Sequence, residues 1–156
     1  MILTPHILTG AIIGSKISSL IIVFFMSFFS HYLLDMIPHH EYDIIKIKYK
    51  KTKLNKELFF ALSKIIIDFS VGLLIALWFI WNKPYFFMAI FGIFSSLLPD
   101  GLLFLYWNYP NNRLLKFFAK PHNDCHFFKN SPVWLGIGME ILLSLTAIIF
   151  LVSNLS

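Results

Sequence analysis

His31 and Asp35 stand four residues apart near the end of a long apolar run, residues 20–37. On a helix that spacing stacks the two side chains on one face. Pro38 then ends the helix, and His39 and His40 follow at once. Imidazole nitrogen and carboxylate oxygen suit zinc or a similar divalent ion, and an ionisable pair inside an apolar segment is costly enough to call for such a partner. A second pair at the same spacing, His122 and His126, closes the stretch His122-Asn123-Asp124-Cys125-His126. Three acids, Asp68, Asp100 and Glu140, sit in three further apolar segments. The set predicts a centre for one or two divalent ions, zinc first among them. His31, Asp35, one of His39 and His40, Asp100, His122 and His126 are its candidate ligands. Asp68 or Glu140 is the candidate general base or a further ligand, and His6 is given a supporting place beside the ligands. An ion with an open position activates water, and a pair of ions suits phosphate-ester hydrolysis. Gly-x-Ser-x-Gly, a phosphate-binding glycine loop and His-Glu-x-x-His do not occur in the chain.

The same residues admit plainer roles. A His31–Asp35 hydrogen bond would satisfy both groups without an ion. Lys64 precedes Asp68 by four residues, the spacing of an ion pair, and Asp100 in Leu98-Pro99-Asp100-Gly101 has the makeup of a turn.

The elements that must position these groups are apolar helices. Residues 5–18 form a short first helix with Pro5 in its first turn and a Gly10-x-x-x-Gly14 face for close contact. Fourteen residues span about 21 Å, short of a ~30 Å hydrocarbon core, so this helix is read as a short span packed inside a bundle. Longer helices are predicted over 20–37, 57–81, 85–107 and 132–153, with Asn82-Lys83-Pro84 as a tight turn. The stretches 41–56 and 108–131 are read as polar loops. The first holds Lys46, Lys48, Lys50, Lys51, Lys53 and Lys56; the second holds Arg113, Lys116, Lys120 and Lys129. The positive-inside rule puts both loops in the cytoplasm, which gives five helices with the N-terminus inside. On that topology the histidines and nearly all the intramembrane acids fall in the cytoplasmic half. Unrelated polar residues have no reason to agree in depth, so the agreement points to a site.

Composition fits this all-α integral membrane bundle. Of 156 residues, 58% are hydrophobic and 13% charged, and 18 are Phe. Soluble domains carry about 25% charged residues. The formal charge of +5 is distributed between apolar segments, which suits anionic lipid headgroups and argues against a nucleic-acid partner. One cysteine, Cys125, excludes an intrachain disulfide. The start Met1-Ile2-Leu3-Thr4-Pro5-His6 lacks a basic n-region, so no cleavable leader is expected. Trp78, Trp81, Tyr85, Tyr106 and Trp107 read as interfacial anchors.

Several motifs together resemble a known family. Thr4-Pro5-His6-x-x-x-Gly10, Ser30-His31-x-x-x-Asp35-x-x-Pro38-His39, Leu98-Pro99-Asp100 and His122-Asn123 with His126 resemble small bacterial membrane-bound metal-dependent hydrolases. These are distantly similar to zinc-dependent phospholipase C and its nuclease relatives. The resemblance runs over most of the chain in order. It implies metal-ligand roles for His31, Asp35 and His39, and a bacterial cytoplasmic-membrane setting. The N-terminal Trp ligand of the soluble enzymes has no counterpart here. The expected function is a membrane-embedded hydrolase of phospholipid-like phosphoesters, its site facing the cytoplasm. Two rival readings use the same residues: an ion or proton path through buried acids, and a non-catalytic scaffold with a structural metal.

Overall fold

The computed structural model describes residues 2–39, 56–125 and 132–153. Among them are six helices and no strand: α1 (Leu3–Lys16), α2 (Leu20–Asp35), α3 (Lys56–Ile80), α4 (Phe86–Asn108), α5 (Arg113–Cys125) and α6 (Val133–Ser153). The all-α bundle expected from the sequence is present, with one correction. Residues 113–125, read as part of a polar loop, form α5, so the described residues hold six helices rather than five. Residues 40–55 and 126–131 lie outside the described residues. With them go His40, His126, Lys129 and the loop lysines except Lys56.

Among the described residues, three segments are long and apolar enough to cross a membrane: Phe59–Ile80, Phe86–Asn108 and Val133–Ser153. The apolar α2 is shorter, at 16 residues. Large apolar side chains face outward on all of these, among them Phe25, Phe29, Ile66, Leu74, Trp78 and Ile149. An apolar exterior around a polar interior site is the arrangement that hydrocarbon solvent favours. Local chemistry sets the helix ends. Pro38 lies just beyond α2, whose last turn closes with Met36 N–H on the Tyr32 carbonyl and Ile37 N–H on the Leu34 carbonyl. Asn82 takes a left-handed conformation (φ 59°) in the turn after α3, a backbone region asparagine tolerates well.

The short α1 is the centre of the bundle and packs on α2, α3, α4 and α6. Its Ile7, Leu8 and Ala11 are fully buried in one cluster with Ala76, Ile80, Ala89, Ile93 and Leu151. Gly10 and Gly14 let α1 meet α4 backbone to backbone. A Cβ on Gly14 would lie 2.1 Å from the Met88 carbonyl oxygen, and one on Gly10 2.5 Å from that of Gly92. The Gly-x-x-x-Gly face read from the sequence is therefore a contact with α4.

Candidate metal centre

Five side chains from four helices converge: His6 of α1, His31 and Asp35 of α2, Asp100 of α4 and His122 of α5. The two α2 residues lie on one face, as their spacing required. Asp35 is central. Its Oδ1 is 3.4 Å from His6 Nε2, and its Oδ2 is 3.1 Å from His31 Nε2 and 3.5 Å from His122 Nδ1. Asp100 Oδ1 is 3.5 Å from His31 Nε2 and 3.7 Å from His122 Nε2. The His6 and His31 rings stack with centroids 4.0 Å apart. His6, His31, Asp35 and His122 are buried, whereas 34% of the Asp100 side chain is exposed, so Asp100 forms the accessible edge.

Ser96 of α4 orients the His31 ring and anchors the backbone of His6. Pro99 lies inside that helix and has no N–H to give to the Ser95 carbonyl. One residue further, the Ser96 carbonyl accepts a hydrogen bond from His31 Nδ1–H at 2.8 Å. A carbonyl can only accept, so Nδ1 carries a proton and Nε2 is the nitrogen that faces Asp35 and Asp100. Ser96 Oγ in turn donates to the His6 carbonyl at 2.9 Å. This serine thus ties the start of α1 and the end of α2 to one turn of α4.

The donor set passes a test for an ion. The buried His6 Nδ1, His6 Nε2 and His31 Nε2 make no hydrogen bond, although carboxylate oxygens stand 3.1–3.5 Å from the two Nε2 atoms. Leaving such groups unmade inside a protein is costly. Ligand bonds of about 2.0–2.1 Å place neighbouring ligand atoms around a tetrahedral ion roughly 3.3 Å apart. The five N···O separations, 3.1 to 3.7 Å, bracket that value. Among the described residues, two three-donor groups have ligand atoms close enough together to hold an ion, His6–His31–Asp35 and His31–Asp100–His122. The residues therefore fit a divalent cation. His31 belongs to both groups but has one nitrogen to give, because Nδ1 is spent on Ser96. Its second ring nitrogen bonds a backbone carbonyl, the partner common for a metal-binding histidine.

The other sequence candidates lie elsewhere. His39, after Pro38, directs Nδ1–H to the Ile37 carbonyl at 2.7 Å and belongs to neither group. Asp68 and Glu140 hold the start of α1. Asp68 accepts from Leu3 N–H and, at 2.6 Å, from the Thr4 hydroxyl; Glu140 Oε1 accepts from Ile2 N–H at 3.2 Å. Carboxylates at the positive end of a helix satisfy amides that have no partner within it. Asp100, which had the makeup of a turn residue, is inside a continuous helix. His6 is the donor that sequence reading left out of the ligand set, and its motif Thr4-Pro5-His6 was the available signal.

Asp68→Ala is expected to lower the stability of the bundle by about 2 kcal/mol, the scale of hydrogen bonds to a charged acceptor. Thermal unfolding followed by circular dichroism in detergent measures it. Lys64→Ala, at an exposed position on the same helix, serves as the near-neutral comparison.

Comparison with known proteins gives no match to this chain among family models, curated proteins or solved structures.

Proposed function

We propose that this protein is a membrane-embedded, metal-dependent hydrolase of phosphoesters, with phospholipid-like molecules as its substrate class. One observation carries the reading: three histidines and two aspartates from four helices meet with the donor separations of a metal centre. The motif resemblance described above supplies the reaction class. His6, His31, Asp35, Asp100 and His122 are the residues that would hold the ion. A divalent ion bound there supplies Lewis acidity to a phosphoryl oxygen and to water.

The chain's own groups divide the remaining work. The Ser96 carbonyl fixes the His31 ring. The buried His6 and Asp35 close the inner side against water. Asp100 borders the accessible side, so substrate and water enter beside it, and its carboxylate is the group placed to take a proton there. Asp68 and Glu140, the bases expected from the sequence, are placed on the amides of α1, so this proposal gives the proton-accepting role to Asp100.

Elemental mass spectrometry of the purified, detergent-solubilised protein tests the metal. The expected result is about one zinc, manganese or iron ion per chain, since His31 has a single nitrogen to share. Release of phosphate or headgroup from phospholipid micelles and from a chromogenic phosphodiester, stopped by chelation and restored by the metal, tests the chemistry. A protein that stays metal-free after loading and washing would reduce the cluster to a polar network and end the proposal. Metal without turnover would favour a structural ion, and ion flux in proteoliposomes would favour transport.

A further inference from the structure

The outer face of α5 is unused by the proposed site, and its residues fall into stripes. Leu115, Phe118, Ala119 and His122 face the bundle: Ala119 is 2% exposed, and the Phe118 ring meets Phe28 of α2 edge to face at 6.0 Å. The Tyr32 hydroxyl of α2 donates to the Phe118 carbonyl at 3.5 Å. On the far side, at helical spacing, Arg113, Lys116 and Lys120 are all exposed. Between the two runs a third stripe with Leu114 (66% exposed) and Phe117 (69% exposed). Asp124 is the one acid on the outer side, so that side keeps a net charge of about +2.

We propose that the outer face of α5 docks on the anionic headgroup layer of a phospholipid membrane. The charge is complementary to acidic lipid, and the pairing of a cationic stripe with exposed Leu and Phe is the pattern of helices that lie at the lipid–water boundary. Position agrees with chemistry. α5 packs on α2 and α4, two apolar helices that also carry exposed apolar residues, Leu33, Phe104 and Leu105, so the stripe belongs to a bundle whose outside is apolar. The inference stands on α5 alone and needs neither a bound metal nor turnover. If the metal centre is present as well, the docked helix carries His122 on its other face, and the headgroup layer holds that ligand in place.

The test places a reporter on the face. Phe117→Trp protein is reconstituted in vesicles of phosphatidylcholine with a third of the lipid phosphatidylglycerol, one or the other brominated. The added fluorescence over the parent protein is then followed. Quenching is expected to be stronger by brominated phosphatidylglycerol than its share of the lipid accounts for. The preference is expected to shrink with salt, to weaken with each of Arg113→Gln, Lys116→Gln and Lys120→Gln, and to be lost in the triple variant. The salt series uses no charge variant, so the prediction survives a variant that fails to fold. Quenching in proportion to lipid composition, or a preference that persists in the triple variant, overturns the proposal; the first is also the result expected if α5 binds a protein. A protein that binds no metal yet keeps the lipid preference overturns the proposed function and leaves this inference intact.

Discussion

Asp35→Ala is expected to weaken metal binding by at least about a hundredfold, since loss of an outer partner of a ligand alone costs 10–100-fold. Asp35 is the one residue whose two oxygens reach three imidazoles, those of His6, His31 and His122. Without it α1 and α5 lose the carboxylate that joins them to α2. Isothermal titration with Zn²⁺, or metal content after dialysis, gives the readout, and the circular dichroism spectrum confirms a folded bundle. Two companions sharpen the result. His6→Ala is expected to lose metal as well, whereas His39→Ala keeps it, because His39 donates to the Ile37 carbonyl and stands outside both donor groups. Metal retained by folded Asp35→Ala, or lost only from His39→Ala, would contradict the assignment of the centre.

The second large effect is steric. Gly14→Leu is expected to destabilise the protein by about 3 kcal/mol or more, the upper range of overpacking. The atoms it would strike are the Met88 carbonyl oxygen and the Ala89 Cα, which are backbone and cannot rotate away. Separation of α1 from α4 also withdraws His6 from Asp35, so metal affinity falls together with the unfolding temperature. Gly101→Ala gives the opposite sign: nothing lies within 4 Å of an added Cβ there, and helix propensity favours alanine by roughly 0.5–1 kcal/mol. Thermal unfolding of both variants in one detergent decides it. Equal unfolding temperatures for Gly14→Leu and the parent would mean that the α1–α4 contact is not as close as described.

Hydrophobic runs and a fixed helical period made most of the bundle readable. The helix expected over 85–107 is Phe86–Asn108, and that over 132–153 is Val133–Ser153. The His31–Asp35 pair was readable for the same reason, because four residues on one helix fix a face without any tertiary information. α5 was missed because charge and Pro121 weigh against a helix when residues are counted by type. The helical alternation of Leu115, Phe118 and His122 with Arg113, Lys116 and Lys120 was present but unused. His6 carries no local partner, and only the docking of α1 between α2 and α4 brings it to Asp35. Asp68 and Glu140 illustrate the same limit: the amides they hold are 65 and 138 residues away in sequence. A buried acid declares that it has a partner; the sequence alone does not say which.

The short α2 has a consequence for the bilayer itself. Its 16 residues reach about 24 Å, against a hydrocarbon thickness of ~30 Å. It presents Ile21, Phe25, Phe29 and Leu33 to lipid along that length. Its neighbour α4 continues for eight residues past Asp100, about 12 Å, so the two helices ask for different membrane thicknesses on adjoining flanks. A bilayer answers such mismatch by thinning beside the shorter wall. On the α2 flank such a dimple lowers the headgroup layer toward the level of Asp35 and Asp100. Under the proposed phosphoester chemistry, a thinned bilayer would shorten the path from a lipid phosphate to the centre, and a lipid would need less lifting from its leaflet to reach it.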